Sequence, residues 1–363
     1  MSAAEGRRGV WAPYMAWAKQ RPPVEHDLAG SNLLGCAIDD LPGASQEVEL
    51  NGLNPEGYPP LVEAIARQYD VDASRVATAA GATGANFLAF AALIRPGDEV
   101  VVERPAYDPI IGALEMLGAR IRRFDRLFDD GWRVDPDRVR NAVTEATRAI
   151  ILTSPHNPSG AVATVEALEE IGRAAAAIGA HVVVDEVYLD AVYTNRPVPA
   201  VTLGDVFVST NSLTKAYGLS GLRAGWVLGS RDVAERVRRV RDVVDVSGAF
   251  PADRLAVLAF QYLERLEARA RSIIEPNLER FTRFVDARPD LEWVPPQGGT
   301  VAFPRIVGAT DTRALAERLL REHGTAIVPG AFFEAPAHMR IAFGCSARTL
   351  DAGLEALGRV LDG

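Results

Sequence analysis

The sequence predicts an α/β protein. A large domain carries a mostly parallel sheet sandwiched by helices, and a smaller C-terminal α/β domain is joined by the N-terminal arm. Three observations predict this. Strand-length apolar runs alternate with helical segments from residue 59 to about 230, a pattern that builds a parallel sheet covered on both faces. Two long helical stretches follow, near 231–246 and 252–285. The last 80 residues then mix short strands with helices again. The expected boundaries are an arm over 1–55, a large domain over 56–275 and a small domain over 276–363.

Taken in order, residues 1–55 are rich in Pro, Gly and Asn and read as irregular. Leu61–Tyr69 and Asn86–Ile94 have helical patterning, the second closed by the turn Arg95-Pro96-Gly97-Asp98. Glu99–Glu103 is a strand and Pro109–Leu117 a helix. Ala149–Thr153, His181–Val184, Val206–Ser209 and Ala224–Leu228 are apolar strands, with the helix Val165–Ile178 between the first two. In the C-terminal part, Thr300–Pro304 and Met339–Phe343 read as strands. Thr312–His323 and Arg348–Leu361 read as helices.

Composition removes several function classes. The 363 residues are 48% hydrophobic and 24% charged, enough to bury a large core. A net charge of −9 argues against nucleic acid and anionic membranes as partners. No run approaches the roughly 18–20 apolar residues of a membrane helix. After Arg7 and Arg8 an apolar run reaches Ala18, but Pro13 interrupts it and Lys19 and Arg21 follow at once. That reads as a docked arm and not a secretory leader. Cys36 and Cys345 make neither a disulfide framework nor a zinc site, which suits a reducing cytoplasm.

The basic residues are lopsided. Of 39, only Lys19 and Lys215 are lysine; the other 37 are arginine. Lysine alone of the two can shed its proton and form a Schiff base, so a lysine retained in such a chain directs attention to its amine.

In an open parallel sheet, ligands sit beyond the carboxyl ends of the strands. Five segments lie there. Gly81-Ala82-Thr83-Gly84-Ala85 precedes a helix and offers backbone N–H groups, with the Thr83 hydroxyl, to an anion. It is neither a dinucleotide fingerprint nor a P-loop. Tyr107 follows a strand in Pro105-Ala106-Tyr107 and can stack on a flat ring. The rigid loop Ser154-Pro155-His156-Asn157-Pro158-Ser159-Gly160 holds Asn157 as a donor, with His156 read as space-filling. Asp185 ends the apolar strand His181–Val184, where a carboxylate needs a partner such as a protonated heterocycle nitrogen. Glu186 reads as structural, and Tyr188 returns to the Asp185 side. Ser212-Leu213-Thr214-Lys215 precedes Arg223. It also matches Ser-x-x-Lys, but the Ser-Asp-Asn and Lys-Thr-Gly companions of β-lactamases do not occur.

One ligand satisfies all five segments. It has a phosphate for the 81–85 turn, Ser212 and Arg223, and a ring for Tyr107. Its ring nitrogen suits Asp185, its phenolic oxygen suits Asn157 and Tyr188, and its aldehyde suits Lys215. Pyridoxal 5′-phosphate has these groups.

The motifs Pro-His-Asn-Pro-Ser-Gly, Asp-Glu-Val-Tyr and Ser-Leu-Thr-Lys-Ala-Tyr-Gly-Leu-Ser-Gly-Leu-Arg-Ala-Gly, in that order, carry a resemblance. So do Val328-Pro329-Gly330 and Met339-Arg340-Ile341-Ala342-Phe343-Gly344. From about Gly57 onward the chain resembles the fold type I pyridoxal-phosphate enzymes, in particular the aspartate-aminotransferase-like class I/II family. The resemblance implies amino-group transfer from an L-amino acid to a 2-keto acid through a Lys215 Schiff base, with Lys215, Asp185 and Tyr188 catalytic. It implies Ala82, Thr83, Tyr107, Asn157, Ser212 and Arg223 around the cofactor, Arg340 with Asn157 on the substrate carboxylate, no metal, and a homodimer in the cytoplasm. The alternative on the same scaffold is a synthase, cyclase, racemase, decarboxylase or oxidase acting on an amino acid. A non-catalytic effector module would need an attached basic DNA-binding domain, which is not expected. Two departures from the family touch the substrate side: Gly52 stands where a tyrosine is usual, with Tyr58 displaced from that position, and Ser31 stands where a glycine is usual. Lys19 is expected to be solvated in the arm.

Overall fold

A computed structural model describes residues 10–363; the first nine residues of the expected arm lie outside the described residues. Seven strands form the main sheet: β1 (Val76–Ala80), β2 (Glu99–Arg104), β3 (Arg120–Asp125), β4 (Thr147–Thr153), β5 (His181–Asp185), β6 (Phe207–Ser212) and β7 (Ala224–Leu228). Their spatial order is β1-β7-β6-β5-β4-β2-β3. All pairs are parallel except those of β7, which runs antiparallel to both neighbours.

The central strands read as unbroken apolar runs because both faces are covered. Val100, Val102, Ile151 and Val183 point to one layer, with Leu88, Val233 and Val237. Val101, Ile150, Leu152, Val182 and Val184 point to the other, with Leu168 and Ile171. This period-two division follows from the pleat.

The helices in chain order are α1 (Pro13–Gln20), α2 (Pro59–Tyr69), α3 (Gly81–Leu93), α4 (Asp108–Met116), α5 (Pro136–Ala142), α6 (Val165–Ala177), α7 (Arg231–Val244), α8 (Phe250–Gln261), α9 (Leu263–Asp286), α10 (Arg313–His323) and α11 (Ala347–Asp362). In the C-terminal part, Met339–Ala342 pairs antiparallel with Val301–Ala302 and Val328–Pro329. The arm joins this part: His26–Asp27 pairs parallel with Thr325–Ala326.

Several elements differ from expectation. The 81–85 turn is the first turn of α3, because small residues with Gly81 at φ +71 let the helix begin immediately after β1. The stretch 252–285 is divided at Tyr262 into α8 and α9. β3 was hidden by its charges; as an edge strand it pairs only with β2, so its arginines reach solvent. β1 was hidden by its alanines, and Pro13, read as interrupting an apolar run, is the first residue of α1. Among the described residues, no helix is long and apolar enough to cross a membrane.

Candidate active site

A cavity of about 390 Å³ opens at the carboxyl ends of the sheet strands, where Thr153, Asp185 and Ser212 close β4, β5 and β6. Every residue expected around a cofactor lines it: Ala82 and Thr83 from α3, Tyr107 after β2, Asn157, Tyr188, Lys215 and Arg223 from loops. Arg340 is not at the wall; it lies buried directly behind Asn157. Lys19 is exposed, as expected, and also lines the cavity together with Met15. Proline at the start of α1 and the pairing of the arm with Thr325–Ala326 carry it there.

The anion-binding end is built from backbone. Ala80 caps α3 with no side-chain hydrogen bond, so the first N–H groups of the helix stay open toward the cavity. Arg223, held at φ +49, lies across this end, with its Nη2 donating to the Ala80 carbonyl at 3.3 Å. A Cβ on Gly81 would stand 2.4 Å from that guanidinium, and one on Gly225 would stand 2.5 Å from the Gly81 backbone. Only glycines allow the helix start, β7 and the guanidinium to converge.

On the floor, Asp185 is buried and held from below. Asn86 Nδ2 donates to its Oδ2 at 2.7 Å, and Thr210 Oγ1 donates to Asn86 Oδ1 at 2.5 Å. Burial raises the Asp185 pKa, opposed by Asn86 and by the Lys215 charge. Asn86 was missed from sequence, although it is a polar residue within the otherwise apolar stretch Ala85–Leu93.

The lysine amine is strongly perturbed. Lys215 Nζ donates to Ser31 Oγ at 2.8 Å and to Asn32 Oδ1 at 2.6 Å. Burial lowers its pKa to about 7, helped by the Arg340 and Arg223 charges and opposed by Asp185. So Ser31, the departure from the usual glycine, touches the amine itself. Neither Ser31 nor Asn32 could be placed from sequence, since 184 residues separate Ser31 from Lys215.

Asn157 sits on a buried support. Glu103 Oε1 accepts from the Thr153 N–H and hydroxyl at 2.7 Å each, and Thr153 Oγ1 accepts the Asn157 N–H at 3.1 Å. Arg126 pairs with Glu103 at 2.9 Å, both fully buried. His156 belongs to this support, bonded to Ser159 and Pro105, and burial holds it neutral, well below the usual histidine range. Glu186 is likewise structural, accepting the Ala200 N–H. Tyr188 lines the wall because the strand ends at Asp185; its hydroxyl donates to the Ser31 carbonyl at 3.1 Å.

Gly52 has a steric reason. A Cβ there would fall within 2.4 Å of several atoms of the Phe250 ring, and Tyr58 packs edge-on against that ring 5.2 Å away. Tyr58 is absent from the cavity wall.

The family described as aminotransferase class I and II matches residues 27–357. The chain belongs to that family. Capreomycidine synthase of Streptomyces vinaceus is 36% identical over 289 residues, 79% of this chain and 74% of the relative. Aspartate aminotransferase of Streptomyces avermitilis is 30% identical over 328 residues, covering 84% and 80%. The crystal structure of a pyridoxal-phosphate-dependent aminotransferase from Streptococcus suis superposes with a TM-score of 0.90 at 29% identity, covering 97% of each chain. As a class I and II aminotransferase, the protein is a fold type I enzyme whose cofactor is pyridoxal 5′-phosphate. Among the described residues no cluster suits a metal ion.

Proposed function

We propose that this enzyme transfers an amino group from an L-amino acid to a 2-keto acid, with Lys215 as the residue that carries the cofactor and moves the proton. The observation that carries the reading is the placement of a lysine amine of pKa about 7 in one cavity with a buried carboxylate and an anion-ready helix start.

The residues present fit the cofactor. The open start of α3, with Thr83, Ser212 and Arg223, suits a phosphate. Asp185, costly to bury as an anion, gains a protonated ring nitrogen as its counter-ion. Tyr107 offers a face to the ring. Asn157 accepts from Arg340 through Oδ1, so its Nδ2 is the end free to donate to the ring's phenolic oxygen. Tyr188 can give its hydroxyl proton to the same oxygen in exchange for the Ser31 carbonyl.

When bound, the cofactor withdraws electrons from the substrate's α-carbon and so makes its hydrogen acidic. The chain supplies the rest. Arg340 has Nε without a partner, and its other nitrogens are turned on Tyr14, Ala29 and Asn157. This is a buried cation prepared for a carboxylate. The Lys215 amine, about half of it neutral at pH 7, is the base that takes the α-proton and returns it elsewhere on the same face. Ser31 Oγ and Asn32 Oδ1 hold its nitrogen in the interval. From α1, Met15 and Lys19 line the cavity.

A synthase or cyclase outcome is the second reading, favoured by the similarity to capreomycidine synthase. One anaerobic titration separates the two. Transamination predicts that an amino acid alone converts bound cofactor to its amine form, with release of a keto acid. A panel of amino acids that leaves the cofactor spectrum in its original form, while consuming substrate, would overturn transfer in favour of the second reading.

The reading includes a homodimer. It is supported by exposed Leu50, Leu53, Val243 and Val246, on two segments brought together where Gly52 meets Phe250.

A further inference from the structure

The charges around the cavity can be assigned one at a time. On the reading above, which this inference rests on, Arg223 faces the phosphate, Asp185 the ring nitrogen and Arg340 the substrate carboxylate. Lys215 carries the cofactor. One charge is left over, that of Lys19. It has no hydrogen bond or ion pair among the described residues, while its neighbour Arg21 is paired with Asp27.

Lys19 is held at the cavity by its helix. It lies four residues after Met15, so both side chains leave one face of α1, and both line the cavity. The helix is pinned beside the site. The Tyr14 N–H donates to Asp108 Oδ2 at 3.0 Å, and the Tyr14 hydroxyl accepts from Arg340 Nη2 at 2.5 Å. The distance from Arg340 to Lys19 is therefore set by a single turn and a half of helix. A substrate whose carboxylate rests on Arg340 projects its side chain under this face.

The wall offers no carboxylate to a cationic side chain, since Asp185 lies on the floor under the ring. In a chain that otherwise uses arginine, a lysine here supplies a compact charge on a flexible stem. We infer that Lys19 is a specificity residue that binds an anionic group, a carboxylate, at the distal end of the substrate amino acid or keto acid. It also disfavours cationic side chains.

The test uses the holoenzyme and the ratio of kcat/KM for glutamate to that for glutamine, and for aspartate to asparagine. Lys19→Met should lower the better of these ratios by about tenfold or more, through KM, as expected for loss of one charge-assisted contact. Lys19→Arg should restore most of it, and Lys19→Glu should reverse it in favour of amides or cationic substrates. Binding gives a readout free of turnover: succinate should bind wild type more tightly than butyrate, and Lys19→Met should erase the difference. Ratios that move less than about twofold in Lys19→Met, with succinate still preferred, overturn the inference. If instead the wild type takes up no pyridoxal phosphate, or Lys215→Arg keeps the lysine-bound absorbance, the underlying reading fails and not the assignment of Lys19 alone.

Discussion

Arg340 Nη1 donates to Asn157 Oδ1 at 3.1 Å, joining a strand of the C-terminal part to the loop after β4 across 183 residues of sequence. The contact fixes which end of the Asn157 amide faces the cavity, and it holds a guanidinium that is fully buried. Stacking on Tyr14 and Phe333, with centroids 4.9 and 5.0 Å from its carbon, completes its enclosure.

Arg340→Lys should therefore be costly despite keeping the charge. A lysine cannot reproduce the fork that meets Asn157, Tyr14 and a carboxylate together. The expected loss in kcat/KM is about 100-fold, equivalent to about 2.7 kcal/mol. The loss should fall on substrates that carry an α-carboxylate. Steady-state kinetics with an amino acid and with an amine lacking the carboxylate check it; an equal loss for both contradicts the assignment.

The Lys215 pKa of about 7 makes a pH prediction for the cofactor-free protein. A lowered pKa means that the ammonium gives up its proton at lower pH, and only the neutral amine attacks an aldehyde. Capture of pyridoxal phosphate should then rise through about pH 7 and level off above about pH 8. An ordinary lysine would still be climbing at pH 9. Stopped-flow absorbance between pH 6 and 10 checks it, and a rate that keeps climbing to pH 10 contradicts it.

Much of this site was legible in the sequence, and the reasons are specific. Asp185 is readable because a carboxylate at the end of an apolar strand demands a counter-ion. Lys215 is readable because 37 of 39 cations are arginine. Arg340 was readable only through resemblance, since nothing local distinguishes it from the other arginines. Ser31 and Asn32 were not readable as partners of the lysine, because their contact crosses the fold. Lys19 is exposed, as expected, but its place on the cavity was not readable, because the helix that carries it starts at a proline inside an apparently irregular arm. The fold was legible where strands are apolar on both faces, and illegible at β3, where an edge position permits Arg120, Arg122 and Arg123.

Asn86 is expected to act through Asp185. Asn86→Ala removes the donor at 2.7 Å and leaves Thr210 Oγ1 without its acceptor. The carboxylate then loses its fixed orientation, and kcat should fall about 10-fold to 100-fold, with weaker cofactor retention. Asn86→Asp should be worse, because a second buried acid raises the pKa of the pair so that one holds a proton. Cofactor dissociation constants across pH 6–9 distinguish the two: the deficit of the Asp variant should change with pH as the shared proton is lost, whereas the Ala variant should show a uniform deficit. Wild-type retention in Asn86→Ala would contradict the role.

Glu186 gives a prediction about stability and not turnover. Its side chain is buried, Oε2 has no partner, and burial raises its pKa to about 8, against a backbone N–H bond from Ala200. Between the unfolded value near 4.5 and about 8, the folded protein holds a proton that the unfolded chain releases. Unfolding is then favoured by rising pH, so this group's contribution to stability is greatest in acid and declines up to about pH 8. Glu186→Gln cannot ionise in either state and removes that decline. Its stability relative to wild type should therefore improve by about 2–4 kcal/mol from pH 5 to pH 8. Denaturant unfolding of both proteins at the two pH values checks it, and a difference independent of pH would mean that Glu186 is ionised in the folded protein.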